Sequence, residues 1–173
     1  MKIVKYSRQY ENLTSTFNSG NEVLDSFIKS DEAFDTSHGV TYIALNETAD
    51  EIIGYYNIAS GTFDFIESGI RTKQCGAAHI NYFAVTASYQ NRIQYSDGRY
   101  NYKLSDIILL DCINRIEEIR ENIGIGCITL SSTKQGYNLY CRADFEDMEE
   151  DFCFTNTDQE HKTIDMYYMF DYE

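Results

Sequence analysis

The sequence predicts an α/β fold in which a central mixed β-sheet carries helices on both faces. Two Val-, Ile- and Tyr-rich segments, 39–45 and 51–59, are joined by turn-forming residues, as in an antiparallel hairpin. Further along, two apolar segments, 79–85 and 125–130, flank a helical pattern at 104–120, and a strand–helix–strand unit within one sheet is normally parallel. At 173 residues and 43% hydrophobic composition, we expect a single domain, 1–173.

The N-terminal elements are a strand and an amphipathic helix. Lys2–Tyr6 is a short strand candidate, and the segment from Asn21 to Phe34 has its apolar residues on one helical stripe. Asn21 is a suitable N-cap, and Glu22 and Asp25 suit the positive end of a helix.

The middle of the chain predicts one strand and one helix between less regular segments. We expect an irregular stretch over 61–76, a central strand over 79–85 and a polar loop over 86–102. The helix from Leu104 to about Arg120 is apolar nearly all round in its first turns, which predicts burial on more than one side.

The C-terminal part predicts a short helix beginning at Tyr137, followed by strands at 152–154 and 164–172. In the last of these, Ile164, Met166 and Tyr168 alternate with polar positions such as Asp165, the pattern of a half-buried strand.

The charge distribution bears on possible partners. A formal net charge of −14 argues against general affinity for nucleic acid, because phosphate contacts dominate that affinity. The segment 69–103, however, holds five basic residues against the single acid Asp97, whereas 144–173 holds Lys162 as its only Lys or Arg. One interpretation is an acidic solvated loop with scattered surface cations. The other is an anionic ligand at the middle of the chain and a cationic one near its end.

Neither a membrane segment nor a metal or disulfide framework is predicted. No apolar run approaches the ~20 residues that span a bilayer, and the N-terminus lacks the apolar region of a signal peptide, so we expect a soluble, cytoplasmic protein. The 5 cysteines are well spaced and form no CxxC pair, which predicts buried free thiols and no zinc site.

Five short motifs occur in an order that resembles a known family. They are Phe17-x-x-Gly20-Asn21-x-x-Leu24-Asp25-x-Phe27-Ile28, Ile52-Ile53-Gly54-Tyr55-Tyr56, Tyr82-Phe83-Ala84-Val85-x-x-x-Tyr89-Gln90, Leu109-Leu110 and Leu139-Tyr140-x-x-x-x-Phe145. Together they resemble GNAT-family N-acetyltransferases over nearly the whole chain. The first two look most like the branch that includes the acetyltransferase toxins of toxin–antitoxin pairs.

The resemblance implies transfer of an acetyl group from acetyl-CoA to an amine. It implies that Phe83, Ala84 and Val85 pair their backbone with the pantetheine arm. It also implies that the start of the next helix, at Lys103, Leu104, Ser105 and Asp106, holds the pyrophosphate, since free amides and the helix dipole favour an anion there.

The phosphate-binding segment departs from the family pattern, because 101–106 contains no glycine where the backbone must approach the ligand. Two interpretations remain. Lys103 and Ser105, helped by Arg92 or Arg99, take over part of the phosphate contact, or the cofactor site is weakened or lost. Asp106 favours the second interpretation, because a carboxylate repels a pyrophosphate unless it points away.

The resemblance also assigns Tyr140 as the general acid that protonates the departing CoA thiolate. Asp144 stands where the family commonly has glycine, a milder departure. The position of the family's glutamate base is occupied by Asn81, which cannot be a base. His79 has the same strand parity and is one candidate base, and a water held by Asn81 or by a backbone carbonyl is the other.

Three functions remain open from the sequence. The first is an acetyl-CoA-dependent N-acetyltransferase, for which a small amine or a basic peptide suits the acidic C-terminal part. The second is a catalytically silent fold of this type that serves as a protein-interaction module. The third is a toxin that acetylates aminoacyl-tRNA, which the net charge disfavours although the basic middle is compatible with it.

Overall fold

A computed structural model describes residues 1–67, 70–148 and 162–171. The helices and strands, in chain order, are β1 (Lys2–Lys5), α1 (Glu22–Lys29), β2 (Val40–Leu45), β3 (Ile52–Glu67), β4 (Ile70–Val85), β5 (Ile93–Ser96), β6 (Asn101–Lys103), α2 (Leu104–Ile123), β7 (Ile125–Thr133), α3 (Tyr137–Arg142), β8 (Glu146–Asp147) and β9 (Thr163–Met169). One sheet has seven strands in the order β1-β2-β3-β4-β7-β9-β8, and β5 and β6 form a second sheet of two strands. The main sheet is mixed, as predicted, because β4 and β7 are parallel and the other described pairs are antiparallel.

The chain divides into two compact units, each made of two segments. The first unit contains Met1–Ala59 and Asn81–Asn114, and the second contains Ser60–Ile80 and Arg115–Glu173. Strands β3 and β4 and helix α2 contribute residues to both units. The single-domain organisation remains a prediction.

In the first unit, α1 packs on one side of β2 and β3. Phe27 and Ile28 of α1 are buried in one apolar cluster with Ile43 and Tyr55. The predicted N-cap is confirmed, because the Asn21 side chain accepts hydrogen bonds from the backbone N–H groups of the first turn.

The predicted helix end at Phe34 is wrong, since α1 ends at Lys29 and a 3-10 turn follows at Asp31–Phe34. Ser30 is extended and its hydroxyl donates to the carbonyl of Phe27, which closes the helix early.

Helix α2 covers the other side of the same strands. Tyr56 donates to Asp111 Oδ2 of α2 at 2.5 Å. A Cβ at Gly54 would lie 2.7 Å from Ile108 Cδ1 of α2 and 3.0 Å from the carbonyl oxygen of Ala84, so a larger residue would displace the Ile108 side chain and crowd Ala84. Gly54 and Tyr55 are adjacent in β3 and therefore face opposite sides. The first unit thus has helices on both faces of its strands, as predicted.

In the second unit, β7 lies between β4 and β9. It is parallel to β4 and antiparallel to β9, and its residues Cys127, Ile128 and Leu130 are buried. The short strand β8 pairs with β9 and was not predicted, because its residues Glu146–Asp147 begin an acidic run that suggested a solvated loop. The predicted strand 152–154 lies outside the described residues.

Two predicted irregular segments are strands. The stretch 61–76 belongs to β3 and β4, where Gln74 donates to Asp64 and Thr72 to the carbonyl of Phe65. The loop 86–102 contains a 3-10 turn and the β5–β6 hairpin. Gly76 is required within this strand segment, because a Cβ there would lie 2.5 Å from the carbonyl oxygen of Gly124.

Candidate functional site

The parallel ladder between β4 and β7 ends before the strands do. Among the described residues it runs from Gly76 with Ile125 to Ile80 with Leu130. Beyond it, residues 131–133 of β7 pair with β9. The predicted pantetheine-binding residues Phe83, Ala84 and Val85 follow the last paired residue of β4.

Asn81 and Tyr82, adjacent residues of β4, have their side chains on the same side of the sheet. The Tyr82 ring stacks on Phe27 of α1, with 3.8 Å between ring centroids. Asn81 Nδ2 donates at 2.8 Å to Asn57 Oδ1, and Asn57 faces the same side of β3 as Tyr55, the α1 side. Two successive residues of β4 therefore contact the α1 side, which breaks the alternation of the strand.

The amide of Asn81 is held in one orientation. One of its N–H groups meets Asn57 Oδ1 and the other meets the carbonyl oxygen of His38 at 2.9 Å. Asn57 is fully buried, and its own Nδ2 donates to Thr41 Oγ1 at 3.0 Å. Because both donor hydrogens of Asn81 are used, its exposed side chain offers a ligand the acceptor Oδ1.

His79 lies on the second unit's part of β4. Its Nδ1 is 2.8 Å from Thr129 Oγ1 of β7, the residue directly opposite in the ladder. Burial lowers the pKa of His79 below its usual value, and the charge of Asp165 partly opposes this. The imidazole is therefore neutral near pH 7.

Tyr140 is buried on α3, with 7% of its surface exposed. Its ring meets Phe145 edge-on at 5.7 Å between centroids, and Phe145 in turn contacts Tyr168 of β9 at 5.5 Å. A Cβ at Gly136 would lie 3.2 Å from Tyr140 Cε2, so the absence of a side chain at this position leaves room for the phenol ring.

His79 and Tyr140 lie on opposite faces of the sheet in the second unit. His79 contacts Thr129, which pairs with Tyr167 of β9, whereas Tyr140 reaches the sheet through Phe145 and Tyr168. Tyr167 and Tyr168 are adjacent in one strand and therefore point to opposite faces. The imidazole and the phenol cannot exchange a proton directly.

At the start of α2, the predicted phosphate site, two backbone N–H groups already donate hydrogen bonds within the protein. Asp106 Oδ2 accepts from the backbone N–H of Lys103 at 2.8 Å, which is half of a capping box, and the N–H of Leu104 donates to the carbonyl of Arg92 at 3.2 Å. The Asp106 carboxylate thus points back at the helix start. Lys103 Nζ donates to Asn91 Oδ1 at 2.9 Å. The side chain of Leu104 is buried, and Ser105 is half-buried.

Asn57 is a residue of this site that the sequence did not predict. The signal was a lone amide inside the apolar strand segment Gly54–Ser60, where a buried polar group requires a partner. Gly39 belongs to the same arrangement, because a Cβ there would lie within 3 Å of both Asn57 Oδ1 and the carbonyl oxygen of Ile58, and its φ is +111°.

The cysteines differ in exposure. Cys112 and Cys127 are buried as predicted, whereas Cys141 is exposed, so that part of the prediction is wrong. Cys75 Sγ lies 4.0 Å from Cys127 Sγ, and Cys153 is outside the described residues. Within the described ranges, no group of three or more His, Cys, Asp or Glu is arranged to hold a metal ion. In these ranges no helix has both the length and the apolar character that crossing a membrane requires.

Comparison with known proteins places the fold. No model of a protein family matches the sequence, and no curated protein matches it. Solved structures do match in shape. A bacterial toxin is similar with a TM-score of 0.73 at 17% identity, covering 97% of this chain and 90% of the toxin.

Two further structures are of the toxin AtaT. AtaTR bound with acetyl-CoA has a TM-score of 0.72 at 13% identity, covering 97% of this chain and 92% of that one. AtaT complexed with acetyl-methionyl-tRNAfMet has a TM-score of 0.71 at 14% identity, covering 97% and 94%. The predicted fold class is confirmed: the chain has the fold of these toxins.

Proposed function

We propose that this chain is an N-acetyltransferase that moves the acetyl group of acetyl-CoA to a primary amine by direct attack within a ternary complex. The observation that carries the proposal is its fold, which it shares over 97% of its length with a toxin solved with acetyl-CoA. The end of the β4–β7 ladder at Ile80 and Leu130 and the position of Tyr140 after β7 support it.

At β4 the residues present fit the pantetheine arm of acetyl-CoA through backbone groups. At the start of α2 they would hold its phosphates through side chains. Phe83, Ala84 and Val85 follow the end of the ladder and supply backbone groups to the pantetheine arm. At the start of α2, the N–H groups of Lys103 and Leu104 are already bonded. The phosphates would therefore depend on side chains, chiefly Lys103 and Ser105, while Asp106 opposes them.

Tyr140 is proposed as the general acid. When the neutral amine has attacked the thioester carbonyl, the C–S bond breaks and the sulfur leaves as a thiolate. The Tyr140 phenol would give its proton to that sulfur, and the proton lost by the amine would return to Tyr140 through solvent.

On the amine side, Asn81 is proposed to position the attacking nitrogen or a water that takes its proton. Its Oδ1 can accept a hydrogen bond but not a proton at neutral pH. His79 is the alternative base. Its neutral imidazole suits that role, and its hydrogen bond to Thr129 leaves the other ring nitrogen, Nε2, as the candidate.

The acceptor is proposed to be a small amine or a basic peptide. In the second unit, the face of the sheet that carries His79 also carries Asp165, and Tyr167 on that face donates to Glu146 at 2.6 Å. Two carboxylates and an aromatic ring suit a cationic group.

A second candidate is a toxin that acetylates aminoacyl-tRNA, favoured by the likeness to AtaT in complex with acetyl-methionyl-tRNAfMet. The net charge of −14 weighs against it.

Calorimetry with CoA and a thiol-release assay with acetyl-CoA test the proposal. We expect CoA to bind and thiol to be released faster when polyamines or basic peptides are added. Stimulation only by aminoacyl-tRNA would favour the toxin. Binding of CoA without any turnover, or no heat at millimolar CoA, would favour the protein-interaction module.

A further inference from the structure

The β5–β6 hairpin presents aromatic rings to solvent. We call residues 92–103 the basic hairpin. Its tyrosines Tyr95, Tyr100 and Tyr102 are exposed to 59%, 67% and 38%. Their rings are neighbours, with centroids 5.9 Å apart between Tyr95 and Tyr102 and 6.5 Å apart between Tyr100 and Tyr102. Three adjacent rings that do not enter the core form a surface on which a planar ligand can stack.

The same hairpin is positively charged in an acidic protein. It contains Arg92, Arg99 and Lys103 against the single acid Asp97, a formal charge of three minus one, or +2, whereas the whole chain carries −14. Asp97 is used by the turn, since its Oδ1 accepts from the backbone N–H groups of Arg99 at 2.8 Å and Tyr100 at 2.7 Å. Those hydrogen bonds order the tip, and the remaining charge complements an anion.

The base of the basic hairpin joins the start of α2. Ile93 pairs with Lys103, the carbonyl of Arg92 accepts from the N–H of Leu104, and Lys103 Nζ reaches Asn91 Oδ1. All of these residues belong to the first unit. An anion that approaches the beginning of α2 therefore meets the cations of the hairpin as well.

We infer that the basic hairpin binds the phosphorylated adenosine end of CoA, with the adenine stacked on the tyrosine rings and the phosphates paired with Arg92, Arg99 and Lys103. This inference rests on the proposed function. It accounts for how a helix start without glycine, with two amides already bonded and Asp106 beside it, can belong to a CoA-binding protein. Side chains of the hairpin replace the backbone groups that a glycine-rich segment would offer.

The test compares three ligands by calorimetry: CoA, adenosine 3′,5′-bisphosphate, which is the nucleotide end alone, and pantetheine, which lacks it. Tyr102→Ala removes the central ring, Tyr100→Ala removes the most exposed one, and Arg99→Ala removes a cation. Tyr102→Phe keeps the ring, and Arg71→Ala removes an exposed arginine of the other unit.

We expect each alanine variant of the hairpin to lower the affinity for CoA and for the bisphosphate by about 10-fold or more. This follows from the usual binding free energy of base–aromatic stacking or of a phosphate contact. Pantetheine binding should be unchanged, and Tyr102→Phe and Arg71→Ala should behave as the parent. Melting temperatures identify any variant that fails to fold, and Tyr100→Ala, at the hairpin surface, then carries the test.

Three outcomes overturn the inference. If CoA binds the parent and the alanine variants equally, the hairpin is not its site, although the proposed function stands. If neither CoA nor pantetheine binds the parent, the proposed function fails and the inference fails with it. If single-stranded oligoadenylate binds more tightly than CoA and loses affinity in Tyr102→Ala, the hairpin is a nucleic-acid site instead.

Discussion

The buried Asn57 fixes the exposed Asn81: Asn57 Oδ1 accepts from Asn81 Nδ2 at 2.8 Å, so the orientation of the exposed amide is set by a residue with no exposed surface. We predict that Asn57→Leu lowers the free energy of unfolding by roughly 1 to 3 kcal/mol, because Asn81 and Thr41 both lose a partner. Urea titration measures this. Asn12→Leu on the exposed surface should change it by less than about 0.5 kcal/mol.

Gly39 is the backbone support of the same arrangement. Gly39→Ala should cost roughly 2 to 4 kcal/mol, because its φ of +111° strains any other residue and the added Cβ would meet Asn57 and Ile58. Gly98 also has a positive φ, +84°, but nothing lies within 4 Å of its Cβ position. Gly98→Ala should therefore cost only about 1 kcal/mol. Equal costs in the two variants would show that the contact with Asn57 is not tight.

Tyr140→Phe tests the general acid. The substitution keeps the ring against Phe145 and removes only the hydroxyl. Turnover of acetyl-CoA should fall by roughly 10²- to 10⁴-fold while the melting temperature and the affinity for CoA stay close to the parent values. Tyr168→Phe, which alters another tyrosine in contact with Phe145, is the matched control and should retain turnover. Unchanged turnover in Tyr140→Phe would remove it from the mechanism.

Asp106→Asn tests whether the carboxylate at the start of α2 opposes the cofactor. Asparagine can still accept from the N–H of Lys103, so the helix cap is kept while the negative charge is lost. The affinity for CoA should rise several-fold at low ionic strength, and the gain should shrink in about 1 M salt because screening removes the repulsion. A weaker affinity for CoA would indicate that the carboxylate serves the site rather than opposing it.

His79 should make stability depend on pH. Burial lowers its pKa in the folded state, so the unfolded chain binds the proton more tightly, from about pH 6.5 downward. The contribution of the neutral imidazole to the free energy of unfolding is fully present above that pH. It is lost as the pH falls toward the lowered pKa of His79 in the folded state. Urea titrations from about pH 8 to about pH 5 should show a steeper loss of stability for the parent than for His79→Gln. Parallel curves would contradict the shift.

Local chemistry made much of the fold predictable. The predicted N-cap Asn21 correctly marked the start of α1. The glycine at position 54 leaves room for the close approach of α2 to β3. The outer half of β4 was missed because it is exposed through Gln74, and a strand that buries neither face lacks the apolar alternation by which strands are recognised. The β5–β6 hairpin was missed for the same reason, since its apolar residues, Ile93 and the tyrosines, face solvent.

The sequence predicted which residues belong to the site but not how their side chains are arranged. The parity rule placed His79 and Asn81 on one face of the strand. It could not reveal that, within the second unit, Tyr140 lies on the face opposite His79, which it reaches through Phe145 and Tyr168. Asn57 joins Asn81 across 24 positions of sequence, and such a contact depends on strand register, which a single sequence does not contain.

The break in side-chain alternation at Asn81 and Tyr82 changes which residues of β4 face each side beyond it. Beyond it, Ala84 belongs to the cluster under α1, whereas Val85 approaches Gly54 on the α2 side. Deleting Phe83, which lies between this pair and Ala84, would exchange these roles, bringing Val85 under α1 and a small alanine opposite Ile108. The strand therefore tolerates substitution along this segment far better than it tolerates a change in length.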